Sequence, residues 1–346
     1  MASIAAPENG NHAVKTAVIG AGDWGKNHIR KFHELGSLIA ISETNEERAA
    51  TFTAEYGVAN LSFEDILEDD GIDAVVLASP ATTHKELGLR AMEKGKHLFV
   101  EKPLALTEED AAALTAKAAE TGKILMVGHL LQYHPGFIGM RELVKSGELG
   151  KLRHIHARRY NIGKFRQEEN VIWDLGPHDA SMVLALTGTE PTSIRTEVSN
   201  YLLPTISDFA TIHLTFPGNI NAELSLSWLA PQKEHRLIVI GDKAMAVFDD
   251  TLEWDEKLRI HRHQTGMEYG KPPLLERDME GEAIPMPFKE PLLNECATFL
   301  SSIAENSQPF SNGEEALKVI RLLTKADPAL ATETEGTATP AISRAS

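Results

Sequence analysis

The run Gly20-Ala21-Gly22-Asp23-Trp24-Gly25 follows the apolar stretch KTAVIG (15–20) and leads into a helical pattern from about Lys26. Three glycines at this spacing, between a strand and a helix, can cradle a phosphate. Gly20 permits the tight turn, Gly22 lets a pyrophosphate approach the backbone, and Gly25 lets helix and strand pack closely. Helix-start N–H groups supply donors, so Asp23 and Trp24 are expected cofactor contacts beside the glycines. The second apolar run closes on Glu43, 18 residues beyond Gly25. A carboxylate there can accept hydrogen bonds from an adenosine ribose and repels a 2′-phosphate. Thr44 and Asn45, not an arginine, follow it directly. NAD is therefore the expected cofactor and NADP is disfavoured. Packing glycines and a solvated glutamate are the bland alternatives.

Other polar groups interrupt apolar runs. In HLFVEKPLAL (97–106) the apolar Leu98-Phe99-Val100 ends abruptly in Glu101-Lys102-Pro103. The preceding run ends in Ser79-Pro80-Ala81-Thr82-Thr83-His84, and the following one in Gly128-His129, then Gln132-Tyr133-His134-Pro135. Ligands of a parallel sheet bind outside the carboxyl ends of its strands. Ser79, Pro80, Thr83, His84, Glu101, Lys102 and Gln132 are thus expected around the dinucleotide.

A basic segment, KLRHIHARRYNIGKFRQEEN (151–170), carries Arg153, Arg158, Arg159, Lys164 and Arg166 in a chain of net charge −16. Arginine forks match phosphate and carboxylate oxygens, so a diphosphate or carboxylate on the substrate would fit. A salt-bridged strand at a subunit interface is the alternative. Arg158 and Arg159 on one strand point to opposite faces, so both cannot serve one site. The pairs His154/His156 and His261/His263 nominate no third ligand, and no metal is expected.

The elements that must position these groups alternate. Five strand-like runs, 15–20, 38–43, 72–79, 97–101 and 124–128, are nearly all apolar and are separated by helical patterns. Thr44-Asn45-Glu46-Glu47 reads as a capping box closed by Gly57, and Thr107-Glu108-Glu109-Asp110 opens a helix closed by Gly122. Such alternation gives a doubly wound parallel sheet. Beyond about residue 150 strands follow one another across short turns, giving a mainly antiparallel sheet with helices near 136–147, 178–187 and 291–305. The expected fold is an α/β Rossmann domain plus a C-terminal α+β domain. The expected boundaries are a disordered lead at 1–13, an NAD-binding domain at 14–130, a second domain at 131–326 that a family resemblance makes the substrate-binding and oligomerisation domain, and a disordered tail at 327–346.

Composition narrows the class. The pI near 5.3 argues against nucleic-acid or anionic-membrane binding. The single cysteine, Cys296, excludes intrachain disulfides. No apolar run approaches the roughly 18 residues of a membrane span, and the amino end lacks a signal-peptide pattern. A cytoplasmic location is expected.

The glycine turn, SPATTH, EKPLA and WDLGPHD, in that order, resemble the glucose–fructose oxidoreductase and inositol 2-dehydrogenase (Gfo/Idh/MocA) family over residues 14–326. The resemblance implies that Lys102 is a catalytic or substrate-orienting lysine near the nicotinamide, with a cis bond to Pro103. It implies that Asp174 and His178 match the family's Asp-x-x-x-His, one helix turn apart on one face. The histidine would receive a hydroxyl proton while the aspartate positions a sugar. A helix cap for Asp174 and a core position for His178 are the competing readings. A lysine base needs burial or a positive neighbour, whereas a histidine is partly neutral at working pH; His178 is the favoured base, with Lys102 polarising the oxygen. Many members carry a Gly-Gly pair before the aspartate and an acid three after the histidine; here stand Asn170-Val171-Ile172 and Ser181.

With GHLLQYHP and EENVIWDLGPHD, the basic segment is similar to members acting as UDP-N-acetylglucosamine and UDP-N-acetylglucosaminuronate 3-dehydrogenases. The resemblance implies oxidation at C3 of a UDP-linked N-acetylamino sugar or its uronate. Tyr133, Arg158, Asn161, Arg166 and Asn170 join Lys102, Asp174 and His178 as expected substrate contacts. A homo-oligomer, dimer or tetramer, is the expected assembly. Two other functions stay open: a dehydrogenase of a free polyol or monosaccharide, and a non-catalytic NAD-bound regulatory subunit.

Overall fold

Strand and helix alternate through the first third of the chain, in a computed structural model that describes residues 14–331 apart from 164, 167, 168 and 273. The order is β1 (Thr16–Ile19), α1 (Gly25–Glu34), β2 (Leu38–Ser42), α2 (Glu46–Tyr56), β3 (Ala59–Asn60), α3 (Phe63–Glu68), β4 (Ala74–Leu77), α4 (His84–Glu93), β5 (His97–Val100), α5 (Glu108–Thr121) and β6 (Leu125–Val127). Every position of β1 and β4 is buried, as in strands covered by helices on both faces. The strands pair in the order β3-β2-β1-β4-β5-β6. Chain direction out of the sheet reverses between β1 and β4, which opens a crevice at their carboxyl ends. Asn45, not Thr44, caps α2 by accepting the Arg48 N–H, in keeping with the stronger capping preference of asparagine. Gly57 and Gly122 end α2 and α5 in the left-handed region, at φ 66° and 65°.

The second region holds α6 (Pro135–Lys145), β7 (Leu152–Tyr160), α7 (Val171–Thr187), β8 (Ser193–Ser199), β9 (Phe209–Phe216), β10 (Ile220–Ser227), β11 (Glu234–Gly241), β12 (Ala244–Asp249), β13 (Leu258–Gly266), β14 (Leu274–Arg277) and β15 (Glu282–Ala283). Helices α8 (Pro291–Glu305), α9 (Gly313–Ala326) and α10 (Pro328–Ala331) follow. Among the described residues these nine strands form one sheet, β14-β13-β12-β11-β7-β10-β9-β8 with β15 beside β13. It is antiparallel except where β7 runs parallel to β10. On β7 the side chains of Ile155, Ala157 and Arg159 are buried, while Arg153 and Arg158 face outward. Helix α7 lies on the buried face, close enough that a Cβ on Gly176 would meet Leu226 at 3.4 Å.

Three expectations need correction. Helix α7 begins at Val171, not near 178. Asn170 starts it by accepting the N–H groups of Ile172 and Trp173, and Pro177 is carried inside it, leaving Trp173 O without its helical donor. The chain beyond 291 does not belong to the second domain alone but packs against both. Phe299 of α8 packs edge-on against Phe32 and Phe99 of the first domain, and α9 fits against α5, where a Cβ on Gly313 would strike Thr115. Nor does the ordered chain stop at 327: Asp327 is buried and accepts from Trp173 Nε1 and Asn170 Nδ2. Residues 1–13, 332–346 and Lys164 lie outside the described residues.

Candidate active site

The crevice at the carboxyl ends of β1, β2, β4 and β5 is a cavity of about 1080 Å³. Gly20, Gly22, Asp23 and Trp24 form one wall. Gly20 sits at φ 89°, and a Cβ on it would lie 2.8 Å from Ala78 O, so no other residue fits this turn. A Cβ on Gly25 would collide with Gly20 O, whereas one on Gly22 would meet nothing within 4 Å. The backbone at Gly22 is thus bare toward the cavity. No side chain caps α1 and its first turn holds no acid, so the helix start is open to an anion. These features fit a dinucleotide pyrophosphate.

Glu43 stands at the far end of this cavity. Its Oε2 accepts the Ala21 N–H at 2.8 Å, and its Oε1 accepts from Asn45 N at 2.8 Å and Arg48 at 3.0 Å. Burial works against its charge. The donors from Asn45, Arg48 and Ala21 outweigh that and hold Glu43 below the ordinary carboxylate range. An arginine absent from the next two positions in sequence therefore reaches the carboxylate from one turn into α2. Ser79, Pro80 and Thr83 line the opposite wall, and Ser79 Oγ bonds Thr83 Oγ1 at 2.7 Å. His84 does not line the cavity. It is buried, with its ring nitrogens 2.9 Å from Pro103 O and 3.0 Å from Ser79 O, and it braces these two loops together.

Lys102 projects from the end of β5 toward α7, and its bond to Pro103 is cis. Its Nζ donates to Asp174 O at 3.0 Å and lies 3.9 Å from Asp174 Oδ1. Asp174 is no helix cap; Asn170 has that place. The Asp174 carboxylate accepts from Arg166 Nε at 3.2 Å and from Trp228 Nε1 at 2.9 Å. One turn on, His178 has a buried Nδ1 with no hydrogen-bond partner among the described residues. Burial, then the positive charges of Arg159 and Lys102, push its pKa well below the usual histidine value. It is a neutral imidazole at neutral pH.

Several expected contacts are not brought here. Gln132 is buried and spends its amide on Ser181 O and Oγ and its oxygen on Arg141. Tyr133 is in the core with its hydroxyl on Ser311 Oγ. Both belong to the turn after β6, which dives under α7 and does not follow the rim. Asn170 is committed to capping α7 and to Asp327. Asn161 continues β7 by donating its N–H to Ser227 O. Arg158 lies on the outward face of the sheet, paired with Glu234. Arg159, on the inward face, is held by Asp179. Arg153 pairs with Asp242, whereas Arg166 does line the cavity and pairs there with Glu169 and Asp174. Each described arginine of the basic segment therefore already faces a carboxylate.

Trp228 was not visible as a site residue in the sequence, because it ends an apolar run that reads as core. Glu315 was equally hidden. It joins His129 Nδ1 at 2.6 Å and Ser181 Oγ at 2.7 Å behind the site, taking the place of an acid on α7 itself.

Comparison with known proteins agrees with this architecture. Residues 14–129 match the oxidoreductase family with an NAD-binding Rossmann fold, GFO/IDH/MocA, and residues 137–247 match the C-terminal domain of the same family. The UDP-N-acetylglucosamine 3-dehydrogenase of Acidithiobacillus ferrooxidans is 30% identical over 89% of this chain and 94% of its own. Its solved structure superposes with a TM-score of 0.79, covering 90% and 96% of the two chains at 29% identity. The NAD-dependent scyllo-inositol 2-dehydrogenase of Bacillus subtilis is 28% identical over 73% of this chain and 77% of its own. A glycine turn built for pyrophosphate, a carboxylate at the ribose end, two domains meeting at Lys102 and Asp174, and these matches together place the chain in the GFO/IDH/MocA family of NAD-binding oxidoreductases.

Proposed function

We propose that the chain oxidises a secondary hydroxyl of a sugar, at C3 of a UDP-linked N-acetylamino sugar or its uronate. Bound NAD supplies the hydride acceptor. The observation that carries the reading is the contact of Lys102, on the cavity wall, with Asp174, one turn before His178 on α7. His178 is held neutral and offers a lone pair to the hydroxyl proton. Lys102 places its ammonium where the oxygen gains charge. Asp174, fixed by Trp228 and Arg166, accepts a neighbouring sugar hydroxyl and orients the ring. The choice of a UDP-sugar rests on likeness to the Acidithiobacillus enzyme.

The pairing of Arg153, Arg158, Arg159 and Arg166 with carboxylates favours a second reading. A segment so neutralised has little charge left for a diphosphate. A free polyol or monosaccharide would then be the substrate. The two are separated by following NADH formation at 340 nm with UDP-N-acetylglucosamine, its uronate, scyllo-inositol and myo-inositol. The first reading expects turnover with a UDP-sugar and little with the free polyols. Turnover with an inositol alone selects the second, and reduction by none of them rules out both.

A further inference from the structure

Behind the cavity wall lies a set of buried ionisable groups that substrate binding does not employ. Glu101 lines the cavity beside Lys102. Its Oε1 is 2.5 Å from His28 Nε2, and its Oε2 accepts the Lys102 N–H at 3.1 Å. The contact ties the imidazole of α1 directly to the carboxylate. His28 is fully buried on α1, and its Nδ1 lies 3.7 Å from Cys296 Sγ on α8. Gly128 closes the remaining side: a Cβ there would stand 3.1 Å from Glu101 Oε2. The carboxylate is therefore fixed by α1, α8 and the turn after β6.

A second acid lies behind it. Glu295 is 1% exposed, and its Oε1 has no hydrogen-bond partner among the described residues. Burial, and then the charge of Glu101, raise its pKa well above the carboxylate range. Two nearby buried acids do not ionise together. Glu295 is thus held toward its neutral form, and Glu101 is the acid that reaches the cavity wall.

The ribose carboxylate Glu43 and the glycine turn fix the adenosine and pyrophosphate ends of a dinucleotide. The nicotinamide half is left the side of the cavity bounded by Glu101 and Lys102. Both line the cavity; Lys102 is tied through Nζ to Asp174 O on the substrate side, and Glu101 is the acid on that wall. An oxidised nicotinamide ring is a cation and the reduced ring is neutral. A fixed anion in a water-poor cleft discriminates between them. We propose that Glu101, clamped by His28, sets the relative affinity for the two redox forms of the cofactor, holding the oxidised form more tightly than a neutral side chain would.

Dissociation constants settle this without any substrate. NADH is titrated by its fluorescence, and NAD+ and ADP-ribose are titrated by displacing it. Glu101→Gln is expected to raise the ratio Kd(NAD+)/Kd(NADH) about tenfold while leaving ADP-ribose, which lacks the ring, within twofold. Glu101→Asp restores most of the ratio. Glu295→Gln, replacing an acid already neutral, leaves it within twofold. An unchanged ratio in Glu101→Gln overturns the proposal, as does an equal shift in Glu295→Gln. Should Glu101→Gln not fold, Glu101→Ala removes the same charge without adding an amide beside Glu295, and the same two outcomes decide.

Discussion

Lys102 Nζ donates to the backbone carbonyl of Asp174 at 3.0 Å, joining the loop just beyond β5 of one domain to the first turn of a helix in the other. The contact makes Lys102 a tie between the two domains as well as a charge. Lys102→Met keeps the stem and removes the ammonium. Turnover is expected to fall about 10²- to 10⁴-fold, with the Kd of NAD+ changed less than fivefold. His178→Ala is expected to lose a similar factor. Near wild-type turnover in both, measured on the substrate that reduces NAD, would show that the chemistry lies elsewhere.

Trp228 reaches the same carboxylate from the end of β10, with Nε1 2.9 Å from Asp174 Oδ2. Trp228→Phe preserves the packing and deletes the donor. Losing a hydrogen bond to a buried charged group costs about 1.5–3 kcal/mol, which is about 10- to 100-fold in kcat/KM. On the proposed role of Asp174, orienting the sugar without transferring the proton, KM is expected to take most of the loss. A Trp228→Phe enzyme with unaltered KM would remove Asp174 from the substrate site.

The parts of the site that follow from local rules could be read from the residues alone. The glycine turn needs only its own spacing and the strand before it, and Lys102 announces itself by ending a buried strand in charge. Asp174 and His178 are one helical turn apart. What escaped depends on contacts between distant residues. Glu315 reaches Ser181 across 134 positions, whereas Arg48 is near Glu43 in sequence and is brought to it by the turn from β2 into α2. Tyr133 and Gln132 misled because a polar residue after a strand reads as rim, while the turn after β6 passes beneath α7. Helix α9 carries its own start signal, Asn312 capping the Glu315 N–H with Glu314 and Glu315 in the first turn, but its place in the fold is not local. Its apolar face makes sense only against α5 and α7.

Glu43 and Arg48 together decide the ribose end. With Glu43 ionised, its carboxylate engages Arg48 and repels a 2′-phosphate. Glu43→Ser takes away the anion and frees the guanidinium, which is 53% exposed on its side chain. The Kd of NAD+ is expected to rise about tenfold and that of NADP+ to fall by a similar factor. Adding Arg48→Ala should abolish the gain for NADP+ alone. If NADP+ binds Glu43→Ser no better than wild type, Arg48 is not positioned for the phosphate.

Acid should weaken the fold through histidines kept neutral. His97 Nδ1 accepts the Ile124 N–H at 3.0 Å, a role that a protonated nitrogen cannot fill. Burial first, and then the charge of Lys123, lower its pKa to about 4. His235 is lowered to about 3 by burial and by the charges of Arg159 and Lys233. In the unfolded chain both take up a proton near pH 6.5. Below that pH the unfolded state binds more protons, so stability is complete above about 6.5 and falls toward the folded values. For His97 the loss by pH 4.5 is about 1 kcal/mol, once its partial exposure to water is discounted. His97→Asn keeps an acceptor for Ile124 and removes the titration. Thermal melts at pH 7.5 and 4.5 should show a smaller drop in Tm for His97→Asn than for wild type, and equal drops would mean that His97 charges in place without cost.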